Sequence, residues 1–197
     1  MAPIPYSDVS AAVGFFVLVA VFLGGEEYLI IRTLVRHKGA RADRGTHLVS
    51  AGCVVVGVAG AFALAGTTGA ASLDGARWAT YAVGLALMAA GLALRWWSIH
   101  TLGRSFTVDV RIRAGQTVID TGPYRWVRHP SYTGLLLICA GIGLALGNGA
   151  SLACVIVIPL AGLVARIRTE ERVLLHELGD SYRRFTKGRA RLIPGLW

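Results

Sequence analysis

The sequence predicts an all-α integral membrane protein with about five transmembrane helices. Three observations support this fold class. Hydrophobic residues make up 54% of the 197 residues, which is more than a soluble domain normally carries. They are gathered in long stretches that contain almost no charge, and nearly all Lys and Arg residues lie between these stretches. Because a helix needs about 20 apolar residues to cross a bilayer, each long stretch is a candidate span.

Five apolar stretches are candidate spans, and the first three are long enough to cross the bilayer. They are Ser10–Ile31, Leu48–Thr67, Ala76–Ile99, Tyr132–Gly147 and Ala150–Ala165. The last two are shorter and are joined by Gly147-Asn148-Gly149. Glycine and asparagine at such a junction predict a tight helical hairpin, which either spans fully or is partly re-entrant.

The basic residues predict the orientation of the chain. Of the 20 Lys and Arg residues, all except Arg77 lie in three segments: 32–47, 95–130 and the tail from Arg166 onwards. Five crossings with the N-terminus outside place all three segments on one face, which the positive-inside rule makes cytosolic. Four crossings would put the basic tail outside. We therefore expect five crossings, a cytosolic C-terminus and a protein integral to the cytoplasmic membrane.

Charge and cysteine usage limit the other classes. A net charge of +9 could indicate nucleic-acid binding, but the charges lie between the spans, so membrane lipids are the expected partners and nucleic acid is not. Residues 1–9 contain no Lys or Arg, unlike a cleavable signal peptide, so the first span is expected to be retained. The cysteines and histidines show no metal-ligand spacing, and no metal is expected.

Two polar segments lie outside the spans, and we expect a single domain over residues 1–197. Thr101–Pro130 is polar and contains β-branched pieces at Thr107–Ile112 and Thr117–Ile119. Loops of this length are usually functional or disordered, and its aromatic residues favour an ordered cytosolic loop. Arg166–Tyr182 has helical composition and is expected to continue the last span outward.

The first polar cluster runs from Gly122 to Gly134 and ends at the mouth of a span. It contains two Arg, one His, two Tyr and two Pro. Pro130 suits the first turn of a helix, whose free amides, together with Arg125 and Arg128, suit an anion such as a carboxylate. The residues alone leave a second interpretation open, a collar that binds lipid headgroups.

The second cluster, Arg166 to Glu171, follows the fifth span. Arg166 and Glu170 are four residues apart on one helical face, so they can pair or present opposite charges to one ligand. The adjacent carboxylates of Glu170 and Glu171 lie near the interface, where an unneeded charge is costly. The alternative interpretation is a solvated helix end held by salt bridges.

Together these clusters resemble the isoprenylcysteine carboxyl methyltransferase family. The features that carry the resemblance are Leu102–Thr107, Thr121–Arg125, Arg128-His129-Pro130-x-Tyr132-x-Gly134, Asn148, Arg166-x-x-x-Glu170-Glu171 and Arg191–Pro194. They extend over about half the chain, from Arg95 to Pro194. Related membrane phospholipid N-methyltransferases share the paired glutamates.

The resemblance implies a membrane methyltransferase that uses S-adenosyl-L-methionine and whose lipid-like substrate arrives from the bilayer. The sequence has no Gly-x-Gly-x-x-Gly turn of the Rossmann type. The residues implied to line the cofactor pocket are Tyr124, Arg128, His129, Tyr132, Gly134, Glu170 and Glu171. Arg166 and Glu170 are implied at the reaction centre as catalytic residues. Residues 95–197 would then form the catalytic, cofactor-binding region, completed by the cytosolic loop and tail, and residues 1–94 the packing and substrate region.

The chemistry of these residue types fits that implication. The ring of Tyr132 suits a sulfonium, arginine suits a carboxylate, and glutamate suits an ammonium group. We expect methyl esterification of a prenyl-cysteine-like carboxylate, which is already ionised at pH 7 and needs no general base. The enzymatic alternative is N-methylation of an aminophospholipid, with Glu170 accepting the proton. A small transporter or scaffold would explain the helices but not the paired motifs, and membrane sterol reductases are longer.

Three residues outside the clusters are further candidates for binding the substrate. Glu26 and Glu27 lie near the cytosolic end of the first span, where two charges are costly. They either form a polar wall of the substrate entry or pair with a nearby arginine: Arg32, Arg36 or Arg95. Trp97, next to Trp96, belongs either to an interfacial belt or to a platform for the substrate.

Overall fold

The structure, a computed structural model, describes residues 3–36, 45–66, 76–103, 106, 117–195 and 197, and the regular elements within them are helical. These elements are α1 (Ile4–Ser7), α2 (Val9–Arg36), α3 (Thr46–Ala65), α4 (Arg77–Leu102), a 3₁₀ helix (Gly122–Arg125), α5 (Pro130–Ala145) and α6 (Gly149–Thr186). The predicted all-α class is confirmed. The middle of the predicted ordered loop, including Thr107–Ile112 and the motif residues Arg104 and Ser105, lies outside the described residues.

Within the part of the chain that the structure describes, four helices are long and apolar enough to cross a membrane. They are α2 through Val9–Ile31, α3, α4 and α6. Helix α5 is apolar but has 16 residues, so the fifth crossing and the direction of insertion stay predictions. Helix α6 has 38 residues with a break at Gly179, and its part before that break corresponds to about 45 Å. It therefore extends beyond its apolar part, as predicted for the segment that follows Ala165.

Helices α4 and α5 are antiparallel and approach each other through glycines. Gly84 faces Gly141, and Gly91 faces Gly134. A Cβ atom added to Gly134 would lie 2.7 Å from the carbonyl oxygen of Gly91 and 2.9 Å from the amide nitrogen of Arg95. Small residues allow membrane helices to pack this closely. The contact fixes the first turn of α5 against α4 at the level of Arg95.

Helices α3 and α6 form a second antiparallel pair, again through glycines. A Cβ atom on Gly57 would lie 2.8 Å from Pro159, and one on Gly162 would lie 2.8 Å from Cys53. Helix α6 begins at Asn148, whose side-chain oxygen accepts hydrogen bonds from the next turn, as an N-cap does. The predicted hairpin between α5 and α6 is thus confirmed.

Helix α2 runs parallel to α4 and is tied to it by polar contacts at two levels. At one level the Tyr81 hydroxyl donates a 2.5 Å hydrogen bond to the carbonyl oxygen of Ala11. At the other, Glu26 forms a salt bridge with Arg95. Pairing with Arg95 was one of the two alternatives for Glu26. This second level coincides with the beginning of α5, and we call it the site end of the bundle.

The chain after α6, described for residues 187–195 and 197, is called the C-terminal tail. It folds back along the segment that precedes α5. The break occurs at Gly179, whose positive φ of 52° interrupts α6. Val127 and Ala190 then form an isolated parallel bridge, and the amide of His129 donates to the carbonyl oxygen of Arg191 at 3.0 Å. The C-terminal tail therefore lies against the Arg-His-Pro motif, although the two are about 60 residues apart in sequence.

Candidate functional site

Tyr132 lies between Arg166 and Glu170, the two residues that the resemblance implies at the reaction centre. Its hydroxyl accepts a 2.7 Å hydrogen bond from Nε of Arg166 and donates one of 2.8 Å to Oε2 of Glu170. Arg166 is buried, with 4% of its surface exposed, and both α6 residues face the first turn of α5. The expected closeness of Arg166 and Glu170 is present, and the link between them in the described residues passes through Tyr132.

His129 stacks on Tyr132 and stands next to both glutamates. The two rings are 5.6 Å apart at an interplanar angle of 11°. Nδ1 of His129 lies 3.9 Å from Oε2 of Glu170, and its Nε2 lies 3.4 Å from Oε1 of Glu171. The imidazole is buried, so the two adjacent glutamates contact opposite sides of one ring.

Glu171 and Arg128 hold the C-terminal tail. Glu171 accepts from Nη1 of Arg128 at 3.1 Å and from Nε of Arg191 at 2.9 Å. The remaining guanidinium nitrogens of Arg128 donate to the carbonyl oxygens of Arg189 and Thr186, at 2.8 and 2.9 Å. Both side chains were expected to line a cofactor pocket, and the contacts seen here join the tail to the motif.

Tyr124 and Gly134 are placed by packing. Tyr124 lies on the 3₁₀ helix and is buried against Tyr182 and Phe185 of α6. Burial, with a further contribution from the negative charge of Glu170, raises the pKa of Tyr124, so its hydroxyl is neutral at physiological pH. Gly134 is buried at the close contact of α5 with Gly91, and it provides the room that α4 needs.

We call Tyr132, Arg166, Glu170 and His129 the polar cluster. A cavity of about 210 Å³ adjoins it on the side of α2 and α3. Most of its lining is apolar, contributed by α2, α3, α5 and α6: Phe22, Leu23, Leu29, Ile30, Ala51, Val54, Val55, Leu135 and Leu163. Its polar lining includes Glu26, Arg95, Ser131, Tyr132 and Arg166. A chamber with apolar walls and a few polar groups is the usual form of a site for a small, largely apolar molecule.

Arg95 joins three helices at the polar part of this cavity. Its Nε and Nη2 donate to the two carboxylate oxygens of Glu26 at 2.5 and 2.7 Å. Its Nη1 donates to the side-chain and main-chain oxygens of Ser131 at 2.9 and 3.2 Å. Arg95 thus connects α2 to the first turn of α5, immediately before Tyr132.

The other two candidates for substrate binding are placed differently. Glu27 is exposed, and Trp97, with 48% of its surface exposed, makes an edge contact with Trp126 at 5.9 Å between ring centroids. Neither belongs to the described lining of the cavity. Sequence reasoning missed the cavity residues of α2 and α3 because apolar side chains there resemble lipid-facing ones. The signal that could have found the cavity was Glu26 itself, a carboxylate within an apolar span.

Comparison with known proteins adds to this geometry. A family model described as the isoprenylcysteine carboxyl methyltransferase family matches residues 82–176. The matched stretch extends from α4 through α5 into α6. It contains Tyr132 and Arg166 as well as both glutamates, and therefore covers the polar cluster and one side of the cavity.

Three curated relatives each match about half of the chain. It is 33% identical over 102 residues to protein-S-isoprenylcysteine O-methyltransferase of Saccharomyces cerevisiae, covering 51% of this chain and 43% of that protein. It is 35% and 31% identical to protein-S-isoprenylcysteine O-methyltransferases B and A of Arabidopsis thaliana, over 101 and 113 residues. These matches cover 50% and 56% of this chain and 51% and 57% of the plant proteins. The chain thus spans about half the length of the curated relatives it matches. The resemblance of the chain to the isoprenylcysteine carboxyl methyltransferase family is thus confirmed over residues 82–176.

Proposed function

We propose that the protein is a membrane methyltransferase that transfers a methyl group from S-adenosyl-L-methionine to the carboxylate of a prenyl-cysteine-like lipid. The observation that carries the proposal is that Tyr132 and Arg166 each contact two parts of the site. Both line the apolar cavity, and both belong to the polar cluster with Glu170. An acceptor with an apolar tail and a polar head fits this junction, with its tail in the cavity and its carboxylate at Arg166.

The polar cluster has groups that fit S-adenosyl-L-methionine. Among the described residues, none donates a hydrogen bond to Oε1 of Glu170, whose side chain is 25% exposed. This oxygen is therefore available to an ammonium group. The ring of Tyr132 offers an aromatic face of the kind that attracts a sulfonium. The residues proposed to hold the cofactor are Glu170, Tyr132 and His129. The residues that pack around them and fix their positions are Tyr124, Arg128, Gly134 and Glu171.

The protein's part in the reaction is mainly positioning. When bound, S-adenosyl-L-methionine would supply an electrophilic methyl group for the carboxylate oxygen, and the electron pair of the broken sulfur–methyl bond would stay on sulfur. Arg166 orients the acceptor carboxylate by charge and hydrogen bonding. The Tyr132 hydroxyl fixes Arg166, and Glu170 fixes that hydroxyl. No proton has to move, because the acceptor is ionised at pH 7, so alignment of the two reactants is the principal source of rate.

The division of labour and the setting of the protein belong to the same proposal. Residues 95–197 supply the catalytic, cofactor-binding region, and residues 1–94 supply the α2 and α3 walls of the substrate cavity. The site end faces the cytosol, in the cytoplasmic membrane, because the basic residues are concentrated there. The acceptor enters from the lipid phase.

The experiment that tests the proposal is a methyl-transfer assay with purified protein in detergent. Tritiated S-adenosyl-L-methionine is supplied with N-acetyl-S-farnesylcysteine, and the product is treated with base. A methyl ester releases its label as volatile methanol, which is the expected result. A parallel assay supplies a total lipid extract as the acceptor. Label that stays in the lipid after base treatment, with no volatile label, would instead indicate N-methylation. Absence of transfer to either class of acceptor would contradict methyltransferase activity.

A further inference from the structure

Glu26 and Arg95 both line the cavity, but within this pair it is the carboxylate that keeps hydrogen-bonding capacity for a ligand. Each nitrogen of the Arg95 guanidinium is already engaged, by Glu26 or by Ser131. The side chain of Arg95 is 10% exposed, whereas that of Glu26 is 31% exposed. A carboxylate oxygen has two lone-pair positions, so each oxygen of Glu26 retains the capacity to accept a second hydrogen bond from a molecule in the cavity.

The cavity therefore offers two kinds of polar contact beside the first turn of α5. Arg166 is a donor, and it lies against the Tyr132 hydroxyl. Glu26 is an acceptor, and it is held by the arginine that contacts Ser131, the residue next to Tyr132. Both line the same cavity. A head that carries a carboxylate and a neighbouring N–H group matches this arrangement, whereas a simple fatty acid has nothing for Glu26.

We propose that Glu26, fixed by Arg95, binds the N–H group adjacent to the acceptor carboxylate and so selects amino-acid-type lipids over plain carboxylic acids. This inference rests on the proposed function, because it uses the same cavity as the acceptor site. A charged pair within an apolar part of a membrane protein is costly, and such pairs commonly mark a site that binds a substrate or an ion.

Two acceptors with the same prenyl tail separate this role from general affinity. N-acetyl-S-farnesylcysteine carries the N–H group, and S-farnesyl-3-mercaptopropionate lacks the whole amide while keeping the carboxylate. Since the tails are identical, partitioning into detergent largely cancels in the ratio of their dissociation constants, measured by calorimetry. A hydrogen bond to a charged group predicts at least about a tenfold preference of the wild-type protein for the N-acetyl compound.

The substitution Glu26→Gln is expected to lower this preference to below about threefold. Glu177→Gln, at an exposed position paired with His176, serves as the matched control and should keep the wild-type ratio. If Glu26→Gln prevents folding, the double variant Glu26→Gln/Arg95→Met removes both charges together, leaves no lone buried charge, and should lower the ratio in the same way.

A wild-type ratio near one, a ratio unchanged by these variants, or binding of neither acceptor would overturn the inference. The proposed function is judged separately, by methyl transfer in the same preparations. Binding with the expected ratio but without transfer would refute methylation of the carboxylate and leave the role of Glu26 intact. Transfer to both acceptors at equal efficiency, together with equal affinity, would keep the enzyme and refute the role of Glu26.

Discussion

The hydroxyl of Tyr132 donates a 2.8 Å hydrogen bond to Glu170. Because the same oxygen accepts from Arg166, the first turn of α5 is coupled to two consecutive turns of α6. Hydrogen bonds in such a chain polarise one another, so loss of the hydroxyl affects both charged partners at once. The relationship makes Tyr132 the residue through which the two predicted catalytic side chains are aligned.

Replacing Tyr132 by phenylalanine tests this alignment. The variant keeps the ring and its stacking on His129 but removes two hydrogen bonds to charged groups. We expect kcat/KM for methyl transfer to fall by about 100-fold, since each such bond contributes roughly 1.5 to 3 kcal/mol. The rate is measured with tritiated cofactor and a saturating range of acceptor concentrations.

Tyr81→Phe is the matched control for that variant. Tyr81 also donates a buried hydrogen bond, to the carbonyl oxygen of Ala11, but at the end of the bundle opposite the site. Its loss should leave kcat/KM within about threefold of the wild type once the fraction of folded protein is taken into account. Wild-type activity in Tyr132→Phe would show that the bridge has no part in catalysis.

Glu171→Gln is expected to release the C-terminal tail. Glu171 is 6% exposed and contacts Arg128 and Arg191. Removing one partner of a buried charge pair destabilises the contact by several kcal/mol. Trypsin cuts after arginine, and Arg189 and Arg191 lie in the tail. Cleavage at these two positions should become at least about tenfold faster, because proteolysis follows the population of the open form.

The same proteolysis experiment on Glu177→Gln provides the reference, since Glu177 lies on the same helix and its side chain is 49% exposed. Tail cleavage in this control should match the wild type. If Glu171→Gln also kept the wild-type cleavage rate but bound the cofactor poorly, Glu171 would be a cofactor ligand, as the resemblance implied, and not an anchor of the tail.

Gly134→Ala separates packing from cofactor binding at that glycine. The new Cβ atom would lie 2.7 Å from the carbonyl oxygen of Gly91, and overpacking of this kind destabilises by about 1 to 3 kcal/mol. A lower midpoint of thermal unfolding in detergent is therefore expected. Gly52→Ala, where a Cβ atom would meet nothing within 4 Å, should unfold at or above the wild-type temperature. An unchanged midpoint with lost cofactor binding would contradict the packing role.

The helices were predictable because their signal is local. Four apolar stretches became α2, α3, α4 and the first part of α6 within a few residues of the expected ends. The hairpin at Asn148 was also predictable, since capping depends on neighbours in sequence. The number of crossings is less well determined, because the 16 residues of α5 are fewer than the roughly 20 that a span normally needs.

The connections within the site depend on contacts between distant segments, and the sequence could identify their members without their partners. Spacing put Arg166 and Glu170 on one face of α6 but said nothing about Tyr132 standing between them. The sequence also indicated Arg128 as a possible ligand for an anion. In the structure the guanidinium of Arg128 is engaged by Glu171 and by the C-terminal tail. Such pairings, about 40 to 60 residues apart, are set by tertiary packing.

The most direct measurement is a calorimetric titration of the purified protein in detergent with S-adenosylhomocysteine, which lacks the reactive methyl group. We expect one site with a dissociation constant below about 100 μM and at least about tenfold weaker binding in Glu170→Ala. Glu177→Ala should bind like the wild type. Absence of binding at several hundred micromolar ligand, or equal binding by Glu170→Ala, would contradict the assignment of the polar cluster around Tyr132 as a cofactor site.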